Sequence, residues 1–174
     1  MTSYLRFSIL SAAALAFLAV PLPDISAEPT GDPAVQAHLL KGDELAAQGK
    51  YGSARDEYKK AVELQRQRGE LPAEALRRIA YSYFYQERFQ AAGHTLVSLA
   101  EEAATYGDIA TEVWALADAA WLAGVNGNWQ MVEKHVARVE KLLTSPYLPD
   151  EIKAKVRQQR LASIESGEFL ALTP

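Results

Sequence analysis

The stretch GDELAAQGKYGSARDEYKKA, residues 42–61, decides the fold. Its small and apolar residues Gly42, Leu45, Tyr51, Ala54, Tyr58 and Ala61 follow one another at spacings of three, six, three, four and three. Steps of three and four gather side chains on one face of an α-helix, and the step of six crosses a break at Gly49. The same spacings return in Ala80, Tyr83, Phe89, Ala92, Leu96 and Leu99, and again in Ala120, Ala123, Trp129, Val132, Val136 and Val139. The unit is therefore a pair of helices, and it occurs three times, with starts 38 and 40 residues apart.

Outward from this unit the chain reads as helix throughout. Asp32-Pro33 opens the first helix, the carboxylate capping free amides and the proline supplying a preset φ at the first helical position. Alanine is abundant and β-branched runs are absent. Breaks fall at Gly49, Gly69 to Pro72, Gly107-Asp108, Asn126 to Asn128, Thr144 to Pro149 and Gly167, and they cut the chain into seven helices. In the last helix Asp150 and Glu151 stand in the first turn and Lys153, Lys155, Arg157 and Arg160 follow, the polarity a helix dipole prefers. Its apolar residues Ile152, Val156, Leu161 and Ile164 form one narrow stripe, as a helix closing the end of a stack requires.

A small residue, a larger one three positions on, an aromatic at the turn and then a small-aromatic-small stripe resemble the tetratricopeptide (TPR) repeat, a helix-turn-helix unit of about 34 residues. The resemblance covers roughly Asp32 to Leu143; the first repeat is close to the pattern, the second good and the third degenerate. It implies an all-α fold, a right-handed α-solenoid of about three TPR-like pairs over residues 33–143, with residues 144–174 as capping helix and tail. It also implies a partner-binding groove lined by the first helix of each pair. The matching positions are Gln36, Leu39, Asp43 and Ala46, then Glu74, Arg77, Tyr81 and Phe84, then Trp114, Ala117, Trp121 and Gly124. Tyr81, Tyr83, Phe84 and Tyr85 cannot all face one core, because consecutive residues step about 100° around a helix. Arg77, Tyr81, Phe84, Tyr85, Trp114, Ala117 and Trp121 are the expected partner-binding residues. The stripe through Trp114, Ala117 and Trp121 offers either a slot for a partner side chain or a flat seat for a neighbouring helix. The family's clamp for a terminal carboxylate is not met, since Leu39 and Asp43 occupy the relevant face.

The amino end reads as an address. Arg6 precedes the apolar run Phe7 to Val20, then come Pro21, Pro23 and Ile25-Ser26-Ala27, a small-residue ending suited to a signal peptidase. The run holds about 14 apolar residues against the ~20 that span a bilayer. Cleavage after Ala27, a linker over residues 28–32 and a periplasmic or secreted mature chain starting at Glu28 are expected, without stable membrane insertion. Net charge is −4, which argues against a nucleic-acid partner. The chain has no cysteine, so thiolate metal sites, disulfides and a cysteine nucleophile are excluded.

Motifs for chemistry are few. His38, His94 and His135 lie in different helices with no metal-ligand spacing, Ser53 lacks a nucleophile elbow, and no glycine-rich phosphate loop occurs. The pairs Asp43-Glu44 and Glu101-Glu102 read as solvated surface, and Arg66, Arg68, Arg77 and Arg78 as a solvated rim or a seat for an acidic partner. No catalytic residue, cofactor or metal is expected. A non-enzymatic adaptor that holds a peptide or helix of a protein partner leads; a structural subunit of a cell-envelope assembly and a small-ligand carrier follow.

Overall fold

The computed structural model describes residues 32–167; the expected leader and the apolar segment Phe169-Leu170-Ala171-Leu172 lie outside the described residues. These residues form an all-α fold without strands: α1 (Pro33–Ala47), α2 (Tyr51–Gln67), α3 (Ala73–Phe84), α4 (Phe89–Tyr106), α5 (Ile109–Val125) and α6 (Trp129–Leu143). A terminal rod follows, made of α7 (Asp150–Val156), a π-helical turn (Arg157–Leu161) and α8 (Ala162–Ser166). From α1 to α6 each helix packs chiefly on its chain neighbours, whereas the rod returns to α5. Among the described residues no helix is long and apolar enough to cross a membrane.

Local chemistry fixes the starts of α1, α5 and α6. Asp32 Oδ1 accepts from the amides of Ala34 at 2.6 Å and Val35 at 3.3 Å, with Pro33 opening α1. Asp108 and Asn128 cap α5 and α6 in the same way, through Thr111 N–H at 2.9 Å and Met131 N–H at 3.3 Å.

The pairs α1–α2, α3–α4 and α5–α6 are built alike. Gly42, Ala80 and Ala120 are all buried, as are Ala54, Ala92 and Val132, and then Ala61, Leu99 and Val139. Leu45, Tyr83 and Ala123 are all half-buried. The turns match as well. Gly49, Glu87 and Gly127 sit at φ of 72°, 58° and 70°, and the next amide in each case, of Lys50, Arg88 or Asn128, donates five residues back to Leu45, Tyr83 or Ala123. In the third pair the stripe loosens, for Val136 is half-buried and Trp129 exposed, because α6 has only α5 as a major neighbour.

Two positions in this scheme carry predictions. A Cβ at Gly42 would overlap the Tyr58 ring, so α1 and α2 approach closely only because that residue is glycine. Gly42→Ala is expected to destabilise by about 1–3 kcal/mol in urea melts. Glu87 has a left-handed backbone that glycine adopts freely, and its counterparts in the other pairs are glycines. Glu87→Gly should therefore raise the unfolding midpoint, through a gain in stability of up to about 1 kcal/mol after the extra freedom of the unfolded chain is subtracted. A lowered midpoint would contradict this.

The π turn solves a spacing problem in the terminal rod. Val156 and Leu161 are five residues apart, which in an α-helix places them about 140° from each other. The wider turn at Arg157–Leu161 brings both onto the core side, where they are buried beside Leu143 and Leu148.

Candidate functional site

On the face expected to bind a partner, the aromatic residues form a chain of ring contacts rather than separate anchors. Trp121 meets Phe84 at 6.0 Å between centroids, Phe84 meets Tyr85 edge-on at 5.7 Å, and Tyr85 stacks on Tyr51 at 5.9 Å. The chain runs from the interior to the surface: Trp121 is 8% exposed and Tyr85 38%. Tyr81 and Phe84 are half-buried between them, against the cluster that Trp121 shares with Ala80, Ala92 and Leu96. Burial, together with nearby Asp118, pushes the Tyr81 phenol above its ordinary pKa. Arg77 is half-buried one turn before Tyr81 and makes no ion pair among the described residues.

Ala117 and Trp121 need a correction, because both are covered and neither faces an open groove. Of the two uses foreseen for that stripe, the seat for a neighbouring helix is the one realised. Ile164 packs against the Trp121 cluster, and Arg160 reaches Asp118 at 2.5 Å, with the two side chains only 12% and 9% exposed. Trp114 is half-buried against the larger core cluster. Of the seven expected partner-binding residues Tyr85 is the exposed one, while Arg77, Tyr81, Phe84 and Trp114 are half-buried.

The charged residues are organised more tightly than a solvated surface would be. Arg78 holds both oxygens of Asp43, at 2.8 and 3.1 Å, and also Glu74 at 2.5 Å; Tyr58 donates to Asp43 at 2.9 Å. One carboxylate thereby ties α1, α2 and α3 together. Arg66 pairs bidentately with Glu102 at 3.0 and 2.7 Å, and Arg68 pairs with Asp32. Three of the four arginines expected to form a rim or acidic-partner seat are thus neutralised internally, and Arg77 is the exception.

Sequence reasoning passed over Arg55, which is buried in α2. Its Nη1 donates to Gln86 Oε1 at 2.7 Å and to Ser82 Oγ at 3.2 Å, and its guanidinium lies 4.2 Å from the Tyr83 ring centroid. Arg88 lies 4.9 Å from the same centroid. Tyr83 also lines a cleft of about 740 Å³ between α2 and α4, floored by Val62, Leu76 and Ile79 and edged by Lys59, Thr95 and Ser98. A stripe of Arg55, Lys59, Val62 and Arg66 along α2 was the available signal, and it is visible only once α3 and α4 are placed beside it.

Two titrating groups make stability depend on pH. Glu57 accepts from Lys41, His38 and Lys60, in that order of effect, which holds its carboxyl down from 4.5 to about 2. Its contribution is complete above about 4.5 and is lost as pH falls toward about 2. His135 is buried, and burial, then Lys134 and Arg138, lowers it from 6.5, so the unfolded chain takes up a proton first and stability starts to fall as pH drops through 6.5. Urea midpoints should therefore decline between pH 7.5 and 5.5 in the parent protein, and less in His135→Gln.

Among the described residues no group of three or more His, Asp or Glu side chains could hold a metal ion. No protein-family model, no curated protein and no solved structure matches the chain.

Proposed function

We propose that this chain is an exported, non-enzymatic protein-interaction module of the TPR type, three helix pairs stacked as a right-handed α-solenoid and closed by the terminal rod. The observation that carries this reading is the three-fold recurrence of one helix pair, with the corresponding positions buried and a positive-φ turn at the same place. Units of this kind bury a continuous core only by stacking, and what they leave for function is a surface. Arg77 and Tyr81 on α3 and Tyr85 just beyond it supply it here: an aromatic exposed at Tyr85 and backed by packed rings, with a cation near Tyr81 that makes no ion pair among the described residues. Such a surface suits an extended or helical segment of a partner protein, anchored by a few aromatic contacts. Export to the periplasm or beyond is supported by the leader-like residues Met1 to Ala27, and intact mass of the exported protein should show a chain beginning at Glu28.

Affinity capture from native envelope extract, with partners identified by mass spectrometry, tests the reading. The parent protein should retain a defined partner that Arg77→Glu with Tyr85→Ala loses. Equal capture by both would place the interaction elsewhere.

A further inference from the structure

Arg55 is the only arginine among the described residues that is fully buried, at 8% exposure, and no carboxylate there pairs with it. A guanidinium keeps its charge in any protein environment, and a buried charge without a counter-ion is costly. Neutral acceptors and the Tyr83 ring compensate in part, but every hydrogen bond of Arg55 leaves from Nη1. Arg88, likewise without an ion pair, adds a second positive charge beside the same ring. Arg55 Nη2 lies about 4 Å from where a Gly52 side chain would begin, at the start of α2. That 17-residue helix has no side-chain cap among the described residues, so its first turn adds a weak positive potential near Gly52. Arg55 and Arg88 thus bring two positive charges to the Tyr83 ring, and neither pairs with a carboxylate among the described residues.

From Tyr83 the cleft continues along α2 to Arg66, whose bridge to Glu102 joins α2 to α4 there. The eleven residues from Arg55 to Arg66 advance about 16 Å, the length of roughly five extended residues. Its floor is apolar, while both edges offer polar side chains, Lys59 and Glu63 on one side and Thr95 and Ser98 on the other. A peptide fits these features together, since its backbone can pair with the polar edges while its side chains use the apolar floor and the positive end.

We infer that this cleft is a second binding site, which takes an extended peptide segment of a protein partner with an acidic side chain reaching Arg55 and Arg88 at its Tyr83 end and apolar side chains over Tyr83, Ile79 and Val62. It is separate from the surface proposed above, since Leu76, Ile79 and Tyr83 lie on the side of α3 roughly opposite Arg77, Tyr81 and Tyr85.

Random dodecapeptides displayed on phage, selected against the exported protein and resynthesised with a fluorescein label, test it by anisotropy. Recovered peptides should carry Asp or Glu next to apolar residues, and Asn or Gln in place of the acid should weaken binding about tenfold or more. Arg88→Ala, which breaks no side-chain hydrogen bond among the described residues, and Ser98→Trp, which fills the cleft, should each do the same, whereas Arg77→Glu should leave affinity unchanged. Recovery of no peptide, peptides lacking an acidic residue, or affinities insensitive to Arg88→Ala and Ser98→Trp would overturn the inference. So would dodecanoate or phosphatidylglycerol vesicles competing for the cleft while no peptide binds, which would make it a lipid site.

Discussion

Trp121→Ala is expected to destabilise the protein by about 3–5 kcal/mol, a large part of the roughly 5–15 kcal/mol that a domain of this size possesses. The indole sits where α3, α4 and α5 meet, in a cluster with Ala80, Ala92, Leu96 and Leu122, with Phe84 6.0 Å away and Ile164 of the terminal rod packed on the same cluster. Small neighbours such as Ala80, Ala92 and Ala119 cannot swing in to fill the space an alanine leaves, so the cavity stays open. Equilibrium urea unfolding of the variant should show a large drop in midpoint. A change of less than about 1 kcal/mol would mean that the indole faces solvent.

Arg160→Met is expected to be nearly as damaging, about 3–5 kcal/mol, for a different reason. Asp118 lies inside the seam between α5 and the rod, and without Arg160 it becomes a buried carboxylate with its ion-pair partner gone. Replacing both partners, Asp118→Leu with Arg160→Met, removes the stranded charge and should recover most of the loss. Comparison of the single and double variants separates the charge from the packing of the rod. If the double variant is as unstable as the single, the ion pair is not what makes Arg160 important.

The helices were legible because each carries its own periodicity and most carry their own stop signals. Gly49, Gly107 and Gly127 stand at positive φ where breaks were expected, and Asp32-Pro33 caps α1 as read. The turn at Tyr85 to Arg88 has no glycine or proline, and only alignment of the second pair with the first located it; the chain there accepts an unfavourable backbone at Glu87. The π turn escaped because its only trace is a spacing of five in the last apolar stripe. At the candidate site the use of Ala117 and Trp121 stayed open between groove and helix seat, since a helix face carries no mark of whether the chain's own later segment will cover it. The roles of Asp43 and Arg55 were hidden for a related reason. Their partners Arg78 and Gln86 are 35 and 31 residues away, and such distant pairs become visible only in three dimensions.

The affinity of the captured partner for Arg77→Glu with Tyr85→Ala, measured beside the urea midpoint of the same variant, tests the proposed function most directly. The account predicts a loss of about thirtyfold, some 2 kcal/mol, with a cooperative fold retained and the midpoint lowered only modestly, because Tyr85 is 38% exposed and gives up its ring contacts with Tyr51 and Phe84 alone. Unaltered affinity in a fully folded variant would contradict it.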